Sequence, residues 1–391
     1  SAQTGDGGDV FFFFGDNQRK ILEEVEKHGG PNAAARANGW TATNTHRAYR
    51  AIKKRAARQG YAPEYDMTRT VPDGYLAKGV STYYNKEGKP AGQWVKSAID
   101  HDRQREIMEA AVAALSGEIK PCAPIATPAA TLEQLATLYT FTDYHVGMLA
   151  WHREGGADWD CSIAETTGIA AMRALTDGTP AAGHGIVNIQ GDFVHYDGFA
   201  PVTPSSGHVL DADSRFGRVV EVSIRLIRQL VALALAKHET VTLLICEGNH
   251  DLASSLWLRK LFCALYEAEP RIAVHDSELP YYVIRHGATM LGFHHGHMKK
   301  NAALPMLFAA QFAPTWGATT KRYIHTGHYH HKEDIEHSGC RVIRHPTLAA
   351  RDAYAARGGY YAERALTAVT YHSKFGEVAT NTVTPEMLEA A

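Results

Sequence analysis

The stretch VTLLICEGNHDLASSLWLRKLFCALY, residues 241–266, holds a complete structural unit. Residues 241–246 form an apolar run of strand length, and residues 252–266 have the apolar spacing of a helix. Between them stand Gly248, Asn249, His250 and Asp251. A strand that feeds a helix through a polar cluster belongs to an α/β sheet, where ligands collect at the carboxyl ends of strands. The pattern recurs along the chain. Strand-like residues 138–142 precede Asp143-Tyr144-His145, and residues 185–190 precede Gly191-Asp192, with His195 and Asp197 close behind. Residues 290–293 precede His294-His295-Gly296-His297, and residues 323–325 lead to Gly327-His328-Tyr329-His330. A further helix is predicted over 218–237. Five clusters at five strand ends would meet in space although they span most of residues 143–330.

The residue types in these clusters suit divalent metals, since carboxylate and imidazole together bind zinc, manganese or iron. The chain has 22 histidines, many beside Asp, Asn or Gly in its second half, and metal binding explains that clustering economically. Glycines beside the polar residues allow a tight turn after each strand. In Asp143-Tyr144-His145 and His328-Tyr329-His330, alternate residues share a side if strand geometry persists.

The ordered set D-x-H, GD, GNHD, HG, GHxH resembles the calcineurin-like metallophosphoesterase superfamily over roughly residues 135–375. The superfamily also contains the Mre11-type nucleases, and the extended segment around Gly191–Asp197 is similar to that branch. The resemblance implies an α/β fold in which two mixed β-sheets pack as a sandwich flanked by helices. It implies two divalent metal ions, manganese first, with zinc, iron, nickel and magnesium as alternatives. Asp143, His145 and His330 would hold one ion, Asn249, His295 and His328 the other, and Asp192 would bridge them. His250 would stabilise the transition state or protonate the leaving oxygen, with Asp251 orienting its ring. His297 rivals His295 for the HG position. His195 would reach substrate phosphate, and His331 would support its neighbour His330. The reaction implied is hydrolysis of a phosphate ester by a metal-activated hydroxide.

The N-terminal part is different. Residues 17–62 carry ten Lys/Arg against three Asp/Glu, while the whole chain of 391 residues has a net charge of −2. Ile21, Leu22 and Val25 sit at helical spacing, Gly29-Gly30-Pro31 breaks the pattern, and Asn32 can cap a short helix that Asn38-Gly39 ends. Thr41 or Thr43 can start a third helix to about Arg58, giving a helix–turn–helix. Its last helix carries Arg47, Arg50, Lys53, Lys54, Arg55 and Arg58, with Thr43, Asn44 and His46 placed for base contacts. Residues 74–96 read as a β-hairpin, a wing on that module, and residues 100–115 as a helix.

The expected organisation is an N-terminal segment 1–16 containing the run Phe11 to Phe14, a winged helix–turn–helix over 17–119, a Pro-containing linker over 120–134, and the phosphoesterase domain over 135–391. Asp211 and Asp213 read as caps of the helix that follows them, and Arg351 and Asp352 as residues able to line the site. Five well-separated cysteines argue against a disulfide framework, and no apolar run approaches the length of a membrane span. A cytoplasmic location, in a bacterial or phage-infected cell, and DNA as partner are the expectations, with homodimerisation open. The alternatives are a small-molecule phosphatase or cyclic-nucleotide phosphodiesterase, and a DNA-binding regulator with a non-catalytic phosphoesterase scaffold.

Overall fold

In a computed structural model, residues 16–58, 61–62, 67–68, 75–85, 90–99, 125–204 and 207–389 are described. The chain divides into two units, Ser1–Ala113 and Ala114–Ala391. The segment Phe11 to Phe14, the expected helix over 100–115, the hairpin turn at 86–88 and the linker residues up to 124 lie outside the described residues.

In the first unit, α1 (Asp16–Lys27), α2 (Pro31–Asn38) and α3 (Ala42–Arg58) form the expected three helices. They bury Val25, Ala34, Ala35 and Ile52. Gly30, not Asn32, occupies the N-cap of α2, and Pro31 opens that helix. Asn32 lies inside it and pairs through Oδ1 with His46 Nε2 at 2.9 Å, tying α2 to α3. Short strands β1 (Tyr61–Ala62) and β2 (Met67–Thr68) pair antiparallel. So do β3 (Tyr75–Tyr84) and β4 (Pro90–Ile99), the expected hairpin.

The second unit contains eleven strands among the described residues, in two mixed sheets. They are β5 (Leu132–Phe141), β6 (Ala182–Ile189), β7 (Thr240–Ile245), β8 (Ile272–His275), β9 (Tyr282–His286), β10 (Thr289–Phe293), β11 (Lys321–Thr326), β12 (Glu333–His337), β13 (Cys340–Arg344), β14 (Leu366–His372) and β15 (Gly376–Val383). One sheet has the order β15-β14-β5-β6-β7-β8, and the other β12-β13-β11-β10-β9. Strands β5 to β8 run parallel, as do β10, β11 and β13. The carboxyl ends that carry the polar clusters therefore share a direction within each sheet. Strand β5 starts at Leu132, inside the expected linker, because its first three residues are exposed and show no apolar run.

Period-two alternation sorts the side chains into layers. Leu138, Ile186 and Leu244 face Leu291 and Phe293 across the sandwich. Their neighbours Tyr139, Val187, Leu243 and Ile245 face outward onto the helices Cys161–Gly178 and Phe216–Lys237. On the other sheet, Met290, Ile324 and Val342 turn outward onto the helix Leu304–Gln311. The result is helix, sheet, sheet, helix, and it agrees with the sandwich expected from the sequence. Leu138→Ala should therefore lower stability by about 2–5 kcal/mol, through lost transfer energy and an unfilled cavity between the sheets. Urea denaturation checks this, and an unchanged midpoint would contradict the layering.

Candidate metal centre

The strands stop where the ligand candidates start, and the backbone shows why. Asp143, His145 and Asp192 each have φ near 49°, His328 has 71° and His330 has 59°. These five are every non-glycine residue with positive φ among the described residues. Left-handed backbone is costly for residues with a Cβ, and its confinement to five candidate ligands marks a functional constraint. This corrects the sequence expectation. Strand geometry does not persist through Asp143 and His145, nor through His328 and His330; left-handed turns aim these side chains instead.

The side chains converge. Asp143, His145 and His330 place one ligand atom each within 4.8 Å of one another, and so do Asp192, His295 and His328. His295 Nε2 joins the groups, 3.1 Å from Asp192 Oδ2 and 3.8 Å from Asp143 Oδ1. His330 Nε2 lies 3.3 Å from Asp143 Oδ1 and 3.5 Å from His145 Nε2. Several of these atoms are buried without a hydrogen-bond partner: Asp143 Oδ1, Asn249 Oδ1 and His295 Nε2. Buried polar atoms are almost always paired, so the orphaned Asp143 Oδ1 and His295 Nε2, 3.8 Å apart, fit a cation held between them. The remaining valences are filled. Asp143 Oδ2 accepts from Thr142 Oγ1 at 2.5 Å and from His328 N at 2.8 Å. Asp192 Oδ1 accepts from His250 N at 2.8 Å. His295 Nδ1 bonds the Gln190 carbonyl at 2.9 Å, which leaves Nε2 for a metal. The donor set of carboxylates, imidazoles and one amide oxygen suits divalent transition ions.

Two glycines make room for this packing. A Cβ on Gly191, itself at φ 91°, would lie 2.6 Å from His295 Nδ1. A Cβ on Gly248 would lie 2.0 Å from Asp192 Oδ1.

Electrostatics tell the same story. Burial is the largest influence on Asp143 and Asp192 and opposes their charge. His295 with His330 on the first, and His295 with His250 and His145 on the second, together outweigh it and hold both carboxyls below their usual range. Burial also opposes a charge on His295, but Asp192 and then Asp143 push its pKa up to about 10. Without metal, a proton on His295 thus supplies part of the positive charge that the carboxylates require.

His250 sits beside this cluster, but Asp251 does not orient it. His250 Nδ1 is 2.8 Å from the backbone carbonyl of His195, and that bond sets the ring. Asp251 is fully engaged elsewhere. Its Oδ1 accepts from Asp192 N at 3.2 Å and Gly248 N at 2.9 Å, and its Oδ2 from Phe193 N at 2.7 Å and Val194 N at 3.2 Å. The carboxylate that the sequence assigned to the ring instead fastens the loop after β6 to the loop after β7. Burial and the charge of Asp192 raise its pKa to about 7.

The other histidines divide clearly. His195 is buried, with Nδ1 3.2 Å from His145 Nδ1 and its ring stacked on His250 at 5.7 Å. Burial, then His250, lower its pKa to about 3, so it is neutral in ordinary buffers. His297 lies next to His295 and His328, at ring distances of 5.4 and 6.3 Å, with Nδ1 buried and unpaired. His294 turns away and stacks on Tyr281 at 4.8 Å. His331 does not support His330: it bonds the Tyr329 carbonyl at 2.9 Å and Arg344 Nη1 at 2.6 Å.

Sequence reasoning missed several supports. Thr142 and Gln190 adjoin the motifs and could have been read as their second line of hydrogen bonds. Asp197 caps the helix Leu252–Leu265 through Ala253 N at 2.6 Å and Ser254 N at 2.7 Å, a partnership too distant in sequence to see. Asp213 does not cap the helix after it; it accepts from Cys161 N at 3.1 Å, at the start of another helix. Asp352 caps the short helix Ala353–Arg357. In the first unit, Arg47, Arg50, Lys53 and Lys54 are exposed on α3. The side chains of Arg55 and Arg58 lie outside the described ones. Arg47 contacts Asn44 Oδ1 at 3.3 Å, and His46 is engaged with Asn32.

No protein-family model matches the sequence, and no curated protein does. Solved structures give distant likenesses. A dimetal phosphatase from Danio rerio is 10% identical, with 63% of this chain and 98% of that one covered at a TM-score of 0.35. A structure described as a novel archaeal phosphodiesterase is 12% identical, with 63% and 98% covered at a TM-score of 0.32. Zinc-complexed Vps29 from Entamoeba histolytica is 14% identical, with 63% and 98% covered at 0.27. All these TM-scores fall below 0.5, and the chemistry of the centre is read from its own donors.

Asp251→Ala would leave four buried N–H groups unpaired and should cost about 2–4 kcal/mol. Denaturation and metal analysis should show lower stability together with lost metal, whereas loss of neither would refute the fastening role. A metal taking His295 Nε2 must displace a proton held up to about pH 10. Metal affinity should therefore rise with pH, with roughly one proton released at neutral pH. Calorimetry in buffers of different ionisation enthalpy measures this, and zero release would exclude His295 as a ligand.

Proposed function

We propose that the chain is a two-metal phosphoesterase, and that its substrate is a phosphodiester of DNA. One observation supports this above all. Six candidate donors from four strand ends meet, with ligand atoms of Asp143 and His295 buried and unpaired, next to a histidine held by a backbone carbonyl. Asp143, His145 and His330 would hold one ion, Asn249, His295 and His328 the other, with Asp192 shared. Manganese fits this mixed oxygen and nitrogen set, as do zinc, iron and nickel, whereas magnesium prefers oxygen donors alone. Bound there, two such ions supply Lewis acidity toward a phosphoryl oxygen and bring the pKa of water toward neutrality.

The chain's own residues do the rest. The carbonyl of His195 takes His250 Nδ1 and so leaves Nε2 as the nitrogen that faces substrate. When water adds to phosphorus and the bond to the leaving oxygen breaks, His250 in its imidazolium form would give its Nε2 proton to that oxygen and take one back from solvent, keeping Nδ1–H on the carbonyl. His195 stays neutral and buried behind it. A ring held in this way needs no carboxylate partner.

The preference for DNA rests on the first unit. Arg47, Arg50 and Lys54 fall on one face of α3, the helix that such modules present to a duplex. Phosphate contacts of this kind require clustered cations on one surface.

The experiment loads the purified full chain with manganese. It presents single-stranded DNA, duplex DNA, RNA, cyclic nucleotides and bis-p-nitrophenyl phosphate side by side. Hydrolysis of the diesters is expected, and His250→Ala should lower kcat by about 10²- to 10⁴-fold while both metals remain bound. Turnover of cyclic nucleotides alone would replace the DNA reading. No turnover of any substrate with two metals bound would end the enzymatic one.

A further inference from the structure

Beside the centre lies a surface that the hydrolytic reading does not use. It comprises two segments on the candidate-ligand side of the second unit. One follows His145 and contains Trp151 and Arg153. The other follows β13 and reads RDAYAARGGYY from Arg351 to Tyr361. The two are pressed together. Arg351 Nε reaches the Gly155 carbonyl at 3.4 Å, and a Cβ on Gly155 would lie 2.0 Å from the Arg351 carbonyl oxygen. The second segment also abuts the centre, since Thr347 Oγ1, four residues before Arg351, donates to the Asp143 carbonyl at 2.7 Å.

The exposure of this surface is unusual for its residue types. Tyr361 is 86% exposed, Tyr354 72%, Tyr360 63% and Trp151 51%. Their rings are organised. Tyr354 and Tyr360 lie nearly parallel, at 28° and 6.3 Å. The Arg351 guanidinium sits 5.3 Å from the Tyr361 ring, and that of Arg153 5.4 Å from the Trp151 ring. Flat faces with polar tips, interleaved with guanidinium groups, match the chemistry of unstacked nucleobases and the phosphates between them. An interface between protein copies would use the same residue types, but the place of these rings beside the phosphoester-cleaving donors favours a nucleotide chain. A duplex offers no free base faces, because its bases already stack on one another.

We propose that this aromatic shelf receives unpaired bases of a single-stranded nucleic acid whose phosphodiester lies at the metal centre. The inference rests on the phosphodiesterase reading and narrows its substrate class. The shelf would hold nucleotides flanking the scissile bond and favour unpaired strands over duplex.

The test uses the full chain and a bromodeoxyuridine-substituted single strand about fifteen nucleotides long, within the span such surfaces hold, under chelation so that nothing is cleaved. Photocrosslinks are expected on Trp151, Tyr354, Tyr360 or Tyr361. The Tyr354→Ala/Tyr361→Ala variant should bind the strand about tenfold or more weakly, because each stacked base is worth that order of affinity. Both side chains are exposed, so the variant's unfolding midpoint should match the wild type. Crosslinks confined to residues 16–99, or unchanged affinity in the variant, would overturn the proposal. So would a wild-type dimer in ultracentrifugation that the same variant dissociates, which would make the shelf a contact between copies. Hydrolysis of bis-p-nitrophenyl phosphate by the wild-type chain is measured separately. Its absence would count against the centre's activity while leaving the binding result to judge the shelf.

Discussion

The carboxylate of Asp251 is the constraint on which the centre depends. It gathers the backbone N–H groups of Asp192, Phe193, Val194 and Gly248, and so locks two strand ends together. Everything nearby inherits its position from that knot. Asp192 is aimed by it, and His250 N in turn donates to Asp192. The His195 carbonyl that fixes the His250 ring belongs to the same fastened loop. The four donors favour the ionised form of this carboxylate without prevailing. Burial and the neighbouring charge of Asp192 work against that form. Cations that neutralise Asp192 would relieve this opposition, so metal loading and loop geometry reinforce each other.

The sandwich serves the same end by different means. Its two sheets contribute different parts of the centre: Asp143, Asp192 and Asn249 follow strands of one, and His295, His328 and His330 follow strands of the other. The apolar layer of Leu138, Ile186, Leu244, Leu291 and Phe293 therefore sets the spacing between the two halves of the donor set. Close packing makes that spacing stiff. Buried polar links continue it upward, as Gln190 Nε2 donates to the His325 carbonyl across the sheets at 3.0 Å.

Much of this was legible before any coordinates. The five strands ahead of the clusters are apolar enough to announce themselves, and the residues that meet at the centre are those the ordered motifs single out. Strands β12 and β15 were not legible, because most of their side chains are exposed and show no apolar run. Strand β14 escaped because Thr367 and Thr370 interrupt its apolar run. The role of Asp251 was misread for a related reason. Adjacency in sequence suggested a bond to the His250 ring, whereas its real partners lie up to 59 residues away and are backbone amides. Backbone partners leave no trace in residue identity. The left-handed turns were hidden likewise, since Asp and His do not advertise positive φ as glycine does.

Those left-handed turns carry a consequence for how the protein can change. Each of Asp143, His145, Asp192, His328 and His330 occupies backbone that glycine would adopt with less strain. The penalty is of the order of 1 kcal/mol per position. Selection for heat resistance alone, blind to turnover, would therefore erode this centre first, replacing its donors one by one with smaller residues. A thermally improved descendant that kept the sandwich and lost the histidines would be a natural end of that path. Five candidate ligands in so uncomfortable a conformation mark a use for their side chains that outweighs the strain.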